Sequence, residues 1–299
     1  LLFHGLYDTW FLAPPCLSPS TDIKWPDPFT DKGDTSKLFS LKKITVEEKT
    51  IQIHGLPEVF ESFRICQLTD MHHGRFVNIK YINNLIAMVN KLKPDIVVLT
   101  GDYIDNSQYP LTNHFICNSS PYIEPCISAI GRLTANFGVF AVLGNHDNLR
   151  YLERIRESFA NHDVTLIENT HRLIEKEGEA ICIAGVGDLW EGVQDLKSAL
   201  RDIPSDVPRI LLSHNPEYAE KMPKDERVDL ILSGHTHGGQ IRLPFSFAPF
   251  LFSKYGQKYA GGLVELEHTQ VYVSRGIGVI PPPIRFNCSP EVPLLSLKR

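Results

Sequence analysis

Five short apolar runs in this chain each end abruptly in a cluster of Asp, Asn, His and Gly, and this pattern restricts the fold more than any other feature. The clusters are Asp70-Met71-His72 after Arg64–Thr69, Gly101-Asp102 after Asp95–Thr100, Gly144-Asn145-His146-Asp147 after Val139–Leu143, Ser213-His214-Asn215 after Arg209–Leu212, and Gly234-His235-Thr236-His237 after Asp229–Leu232. Apolar runs of four to six residues bounded by turn signals read as buried β-strands. Open α/β sheets bind ligands beyond the carboxyl ends of their strands, so five such ends can converge on one crevice.

Between these strands the spacing predicts helices over Asn78–Leu92, Glu124–Ala135, Leu149–Ala160 and Asp195–Arg201, with Pro94 stopping the first. Ile44–Ile53 alternates like a strand pair, and Tyr103–Pro121 reads as loop. Val164–Ile167, His171–Ile174 and Ala180–Ala184 read as adjacent strands; Gly261–Glu267, Val271–Ser274 and Val292–Leu297 complete a strand-rich end. Alternating helices and strands followed by runs of strands predict an α/β (α+β) protein with mixed sheets covered by helices. There is no internal repeat and no second core, so residues 42–299 form a single expected catalytic domain. Residues 1–41 form an arm, apolar at Leu1-Leu2-Phe3 and Trp10-Phe11-Leu12, then rich in Pro, Ser, Asp and Thr. The apolar start is too short and broken to cross a bilayer, and reads either as the interfacial end of a membrane anchor or as an arm packed on the domain.

Composition narrows the partners. A formal charge of −5 with no dense Lys/Arg cluster argues against nucleic acid. The six cysteines (Cys16, Cys66, Cys117, Cys126, Cys182, Cys288) contain no C-x-x-C pair, and Cys66 and Cys182 lie inside apolar runs, as reduced buried thiols do.

Carboxylate, amide oxygen and neutral imidazole together suit Mn²⁺, Fe²⁺ or Zn²⁺, and the absence of thiolates argues against a structural zinc site. In D-x-H and H-x-H the outer residues lie on one side of an extended chain, so both can face one cluster. The glycines before Asp102, Asn145 and His235 allow close backbone approach and unusual dihedrals. Each cluster alone has an ordinary explanation in turn or cap chemistry; the ordered set at strand ends does not.

The order D-x-H, G-D, G-N-H-D, H, G-H-x-H over residues 64–240 resembles that of the calcineurin-like metallophosphoesterase superfamily. The resemblance implies a four-layer α-β-β-α sandwich of two mixed sheets and two divalent ions, Mn²⁺ first, with Fe²⁺ or Zn²⁺ as alternatives. It implies that Asp70, His72, Asp102 and His237 hold one ion and Asp102, Asn145, His214 and His235 the other. Asp102 then resembles the bridging carboxylate and His146 the acid beside the leaving group. Paired ions of this kind neutralise phosphoryl charge and acidify the attacking water. Asp147 is either an orienter for His146 or a helix cap.

Ser213–Glu217, Gly234–Ile241, Val273–Gly278 and Pro290-Glu291 further resemble the membrane-associated YkuE/YaeI branch. That branch includes LpxG-type pyrophosphatases of lipid A synthesis, which convert UDP-2,3-diacylglucosamine to UMP and 2,3-diacylglucosamine 1-phosphate. The resemblance implies a lipid-linked nucleotide substrate and a place on the cytoplasmic face of the inner membrane. Other phosphodiesters or phosphomonoesters, or a non-catalytic scaffold, are the alternatives. Leu243–Phe252 carries four phenylalanines and can serve acyl chains, a bilayer, or the core. His73 and Arg275 are possible phosphate contacts or structural residues.

Overall fold

A computed structural model describes residues 44–105 and 121–299. The N-terminal arm, Cys16, Cys117 and most of the expected 103–121 loop lie outside these residues. In chain order the elements are β1 (Thr45–Gln52), β2 (Arg64–Leu68), α1 (Ile79–Leu92), β3 (Ile96–Thr100), α2 (Ile123–Ile130), β4 (Val139–Val142), α3 (Asn145–Arg150), α4 (Leu152–Ala160) and β5 (Thr165–Leu166). Then come β6 (Thr170–Lys176), β7 (Glu179–Gly185), α5 (Leu196–Ala199), β8 (Arg209–Leu212), β9 (Leu230–Ser233), β10 (Gly262–Glu265), β11 (Gln270–Val273) and β12 (Glu291–Lys298).

The strands form two six-stranded mixed sheets, ordered β1-β12-β2-β3-β4-β5 and β10-β11-β9-β8-β7-β6. Within the first, β2 to β5 run parallel and β12 is antiparallel to β2. Within the second, β7, β8, β9 and β11 are parallel and both edge strands are antiparallel to their neighbours. Strand alternation sorts the side chains into layers. Ile65, Ile96 and Val98 of the first sheet meet Ile183, Ile210, Leu212, Leu230 and Leu232 of the second in the inner core. Their neighbours Cys66, Val97 and Leu99 face outward onto Ile82, Leu85, Val89 and Ile127 of α1 and α2. The other outer layer is thinner: α5 and a short 3₁₀ turn, Pro216–Glu220, cover Cys182, Leu211 and Ile231. This is the expected α-β-β-α sandwich. Among the described residues no helix is long and apolar enough to cross a membrane.

Several expectations need correction. Ile44–Ile53 is one strand, not a pair; it contains no turn residue and lies parallel to β12 instead. Val164–Ile167 is not adjacent to His171–Ile174: β5 joins the first sheet beside β4, and the chain crosses to open the second sheet with β6. The helix expected from Leu149 starts at Asn145 and breaks at Tyr151, whose φ of −127° is not helical. The helix expected to reach Ala135 stops at Ile130.

Candidate metal centre

Beyond the carboxyl ends of β2, β3, β4, β8 and β9, the structure brings Asp70, His72, Asp102, Asn145, His214, His235 and His237 together, all of them buried. The reason is not the extended alternation expected for D-x-H and H-x-H. Asp70, His72, Asp102, His235 and His237 have φ of 52°, 45°, 57°, 70° and 52°. Left-handed backbone costs energy at non-glycine residues and persists where surrounding structure enforces it, a signature of functional sites. Of the three glycines, only Gly101 has the expected unusual dihedral, with φ of 96°. Gly144 and Gly234 supply room: a Cβ on the first would overlap Asp102 Oδ1, and on the second Thr69 Oγ1 and Asp70 Oδ2.

Two donor sets emerge. In one, His72 Nε2 lies 3.0 Å from His237 Nε2, which is 3.3 Å from Asp70 Oδ1; Asp102 Oδ2 is 3.5 Å from His72 Nε2. In the other, Asn145 Oδ1 is 3.2 Å from His214 Nε2 and 3.1 Å from His235 Nδ1. These two nitrogens are 3.2 Å apart, and Asp102 Oδ2 is 3.3 Å from His214 Nε2. Ligands about 2.0–2.1 Å from a tetrahedral ion sit about 3.3–3.4 Å apart, so these edges fit a coordination shell. Asp102 is the one carboxylate common to both sets. His214 Nδ1 faces Thr100 O at 2.7 Å; donating there leaves Nε2 as the atom offered to the cluster. The donors therefore fit two divalent ions.

At His72, His235, His237 and Asp102 the electrostatics favour this reading, and at Asp70 and His214 a proton competes with an ion. Burial, then His146, pushes His72 down to about 3, and burial holds His235 and His237 well below the usual range, so all three present neutral imidazoles. Burial disfavours charge on Asp102, but His214, His146 and His72 outweigh it and hold the carboxyl well below its ordinary value. Burial raises Asp70 to about 6, while the carboxylates Asp102, Asp70 and Asp188 overcome burial at His214 and raise it.

His146 is half-buried at the rim, its ring edge-on to His72 at 4.7 Å, with its backbone N–H donating to Asp102 Oδ1 at 2.9 Å. Its ring also lies close enough to His72 and Asp102 to join a metal group. Asp147 accepts from the backbone N–H groups of Gly144 (2.9 Å), Asp102 (2.7 Å) and Tyr103 (2.9 Å). It is thus a first-turn residue that ties the Asp102 loop to α3. Burial, then Asp102, raises its carboxyl to about 8. His73 is buried, with Nδ1 against Val77 O at 2.7 Å, and Arg275 pairs with Glu47 and Glu291.

Sequence reasoning passed over Arg285, Asp188 and Trp190. Arg285 is buried and donates to Gly278 O, Arg275 O and His237 O, while Gly278 N–H donates to Asp70 O at 2.7 Å. An arginine in a proline-rich stretch carries no local sign of burial. In Leu243–Phe252 only Ala248 is buried; Phe245, Phe247 and Phe250 are exposed.

The family model described as calcineurin-like phosphoesterase matches residues 63–239. The chain is 34% identical over 257 residues to the uncharacterized metallophosphoesterase YkuE of Bacillus subtilis (strain 168), covering 85% of this chain and 86% of that one. It is 33% identical over 238 residues to the phosphodiesterase YaeI of Escherichia coli (strain K12), covering 79% and 82%. It is 30% identical over 267 residues to a transmembrane protein with metallophosphoesterase domain of Danio rerio, covering 85% of this chain and 57% of that protein. With more than half its length matched by the family and its strand ends gathered into one ligand cluster, the chain belongs to the calcineurin-like phosphoesterase family and is a metal-dependent phosphoric ester hydrolase.

Proposed function

We propose that Asp70, His72, Asp102 and His237 hold one divalent ion and Asp102, Asn145, His214 and His235 a second, for hydrolysis of a phosphodiester or pyrophosphate. The observation that carries this reading is the pair of tight donor sets meeting at one carboxylate, Asp102. When bound, the ions supply neutralisation of phosphoryl charge and acidification of the attacking water. Asp102 fixes the two sites relative to each other, Asp147 holds the Asp102 backbone in place, and Asn145 contributes a neutral oxygen that limits negative charge. His146, at the half-exposed rim, donates a proton to the departing oxygen. The mix of oxygen and imidazole donors favours Mn²⁺, with Fe²⁺ or Zn²⁺ as alternatives.

The substrate we favour is UDP-2,3-diacylglucosamine, cleaved to UMP and 2,3-diacylglucosamine 1-phosphate at the cytoplasmic face of the inner membrane. Support comes from the sequence resemblance and from exposed Phe245, Phe247 and Phe250 in the loop that follows His237. Each phenylalanine ring buried against an acyl chain contributes roughly 1.5–3 kcal/mol. A transmembrane protein among the relatives agrees with a membrane setting. Assaying the Mn²⁺-loaded protein on this lipid and on a soluble phosphodiester tests the choice. Replacing Phe247 and Phe250 with Ser is expected to raise KM for the lipid selectively. Equal losses on both substrates, with earlier melting, would make the rings structural. The second reading, a phosphodiesterase for other substrates, is favoured by the name of the Escherichia coli relative. A non-catalytic scaffold is disfavoured because every candidate ligand is present.

A further inference from the structure

The loop after β7 carries a feature that the hydrolytic chemistry does not use. Trp190 lies with its ring centroid 4.3 Å from that of His235, perpendicular to it, and is 40% exposed. Single exposed apolar residues are ordinary. This one differs in its place against a candidate metal ligand and in the bracing of its loop. Asp188 Oδ1 accepts from the N–H groups of Trp190 and Glu191, each at 2.8 Å, and Gly192 N–H returns to Asp188 O at 3.0 Å. Gln194 Nε2 donates to Gly192 O, and Asn169 Nδ2 to Val193 O. A Cβ on Gly187 would overlap Val193 O, so the loop is tightly folded as well as bonded. Asp188 itself is 1% exposed, and its Oδ2 is a buried acceptor with no hydrogen-bond partner among the described residues.

A rigid, half-exposed indole at the rim of a metal cluster is a stacking surface, since every planar heterocycle presents a π-face to it. We propose that Trp190 binds the planar base of a nucleoside esterified to the phosphoryl group under attack. The base lies on the His235 side, because His146 borders His72 instead. The exposed phenylalanines are a separate surface on another loop, suited to an apolar group. This proposal rests on the phosphodiester reading above and assigns Trp190 to the nucleoside end of its substrate.

The test compares two Mn²⁺-supported substrates that share a leaving group, thymidine 5′-(4-nitrophenyl phosphate) and methyl 4-nitrophenyl phosphate. Trp190→Ala is expected to lower the ratio of kcat/KM for the nucleotide over the methyl ester about 5- to 150-fold, through KM, and Trp190→Phe to recover most of it. Thymidine monophosphate should quench tryptophan fluorescence in the native protein and not in Trp190→Phe; the other tryptophans, Trp10 and Trp25, lie outside the described residues. An unchanged ratio overturns the proposal, whether both substrates are unaffected or both suffer alike with loss of bound metal, which would assign Trp190 to holding His235. If the native protein cleaves neither ester, the phosphodiester reading fails, and the quenching difference alone decides whether a base binds at Trp190.

Discussion

At the scale of single residues, Asp102 is where the two donor sets meet. Its Oδ2 lies within 3.5 Å of His72 Nε2 and 3.3 Å of His214 Nε2, one from each donor set, while its Oδ1 accepts from His146 N–H. Replacing Asp102 with Ala is therefore expected to abolish turnover and loosen both ions together, read by metal analysis after dialysis. Retention of two ions at native affinity would remove Asp102 from its shared position. His146 has a different expected signature. His146→Ala should keep both ions and lower kcat on the order of 10²–10⁴-fold, the usual cost of losing a general acid. The loss should shrink for substrates with good leaving groups, which need little protonation. A uniform loss with metal depletion would instead make His146 a ligand, a role its distance to His72 and Asp102 permits.

At the scale of elements, the cluster depends on strand ends brought within atomic contact of each other. Gly234, at the end of β9, packs against the side chains of Thr69 and Asp70 at the end of β2, leaving no room there for a Cβ. Gly234→Ala is expected to destabilise the fold by about 1–3 kcal/mol through overpacking and to weaken metal binding further, because Asp70 must move. Thermal melting and metal affinity measured on one sample would check this; native affinity in a destabilised protein would show that the strand ends part without disturbing Asp70. These strand ends were legible in the sequence because each apolar run stops at a polar cluster. The pairing of β1 with β12 was not, because nothing local in Thr45–Gln52 records a partner more than 200 residues away. The left-handed backbone at Asp70 and His235 was equally hidden: Asp and His are enriched in that region, yet only a small minority of them adopt it, so residue type alone does not mark the position. For the same reason the candidate ligands could be named from their types and spacing, whereas Arg285, Asp188 and Trp190 owe their positions to tertiary contacts.

At the scale of the whole molecule, the site joins both sheets: Asp70, Asp102 and Asn145 follow strands of the first, His214 and His235 strands of the second. Gln67, donating to Thr100 Oγ1 at 3.0 Å and Ser233 O at 2.9 Å, ties the sheets together in the buried interior. Bound ions would add a second tie, stabilising by about 2.7 kcal/mol at a hundredfold excess over Kd. Metal affinity should fall in acid. The Asp70 carboxyl, raised to about 6 by burial, loses its negative charge as pH drops through that value. His214, raised by the carboxylates around it, holds a proton that an ion must displace, so affinity should keep climbing above neutrality. His72, neutral down to about 3, adds no competition in that range. Chelator-competition titrations across this range check the slope; a pH-independent affinity would contradict these protonation states.

The most direct measurement is turnover of a soluble phosphodiester by metal-free protein titrated with Mn²⁺, alongside direct determination of bound ions. If two donor sets share Asp102 in a hydrolytic centre, activity should rise to its full value only as the second equivalent binds, and Asp102→Ala should show weakened binding of both ions and no turnover. Full activity at a single equivalent, or turnover that persists in the chelated protein, would contradict a dinuclear site.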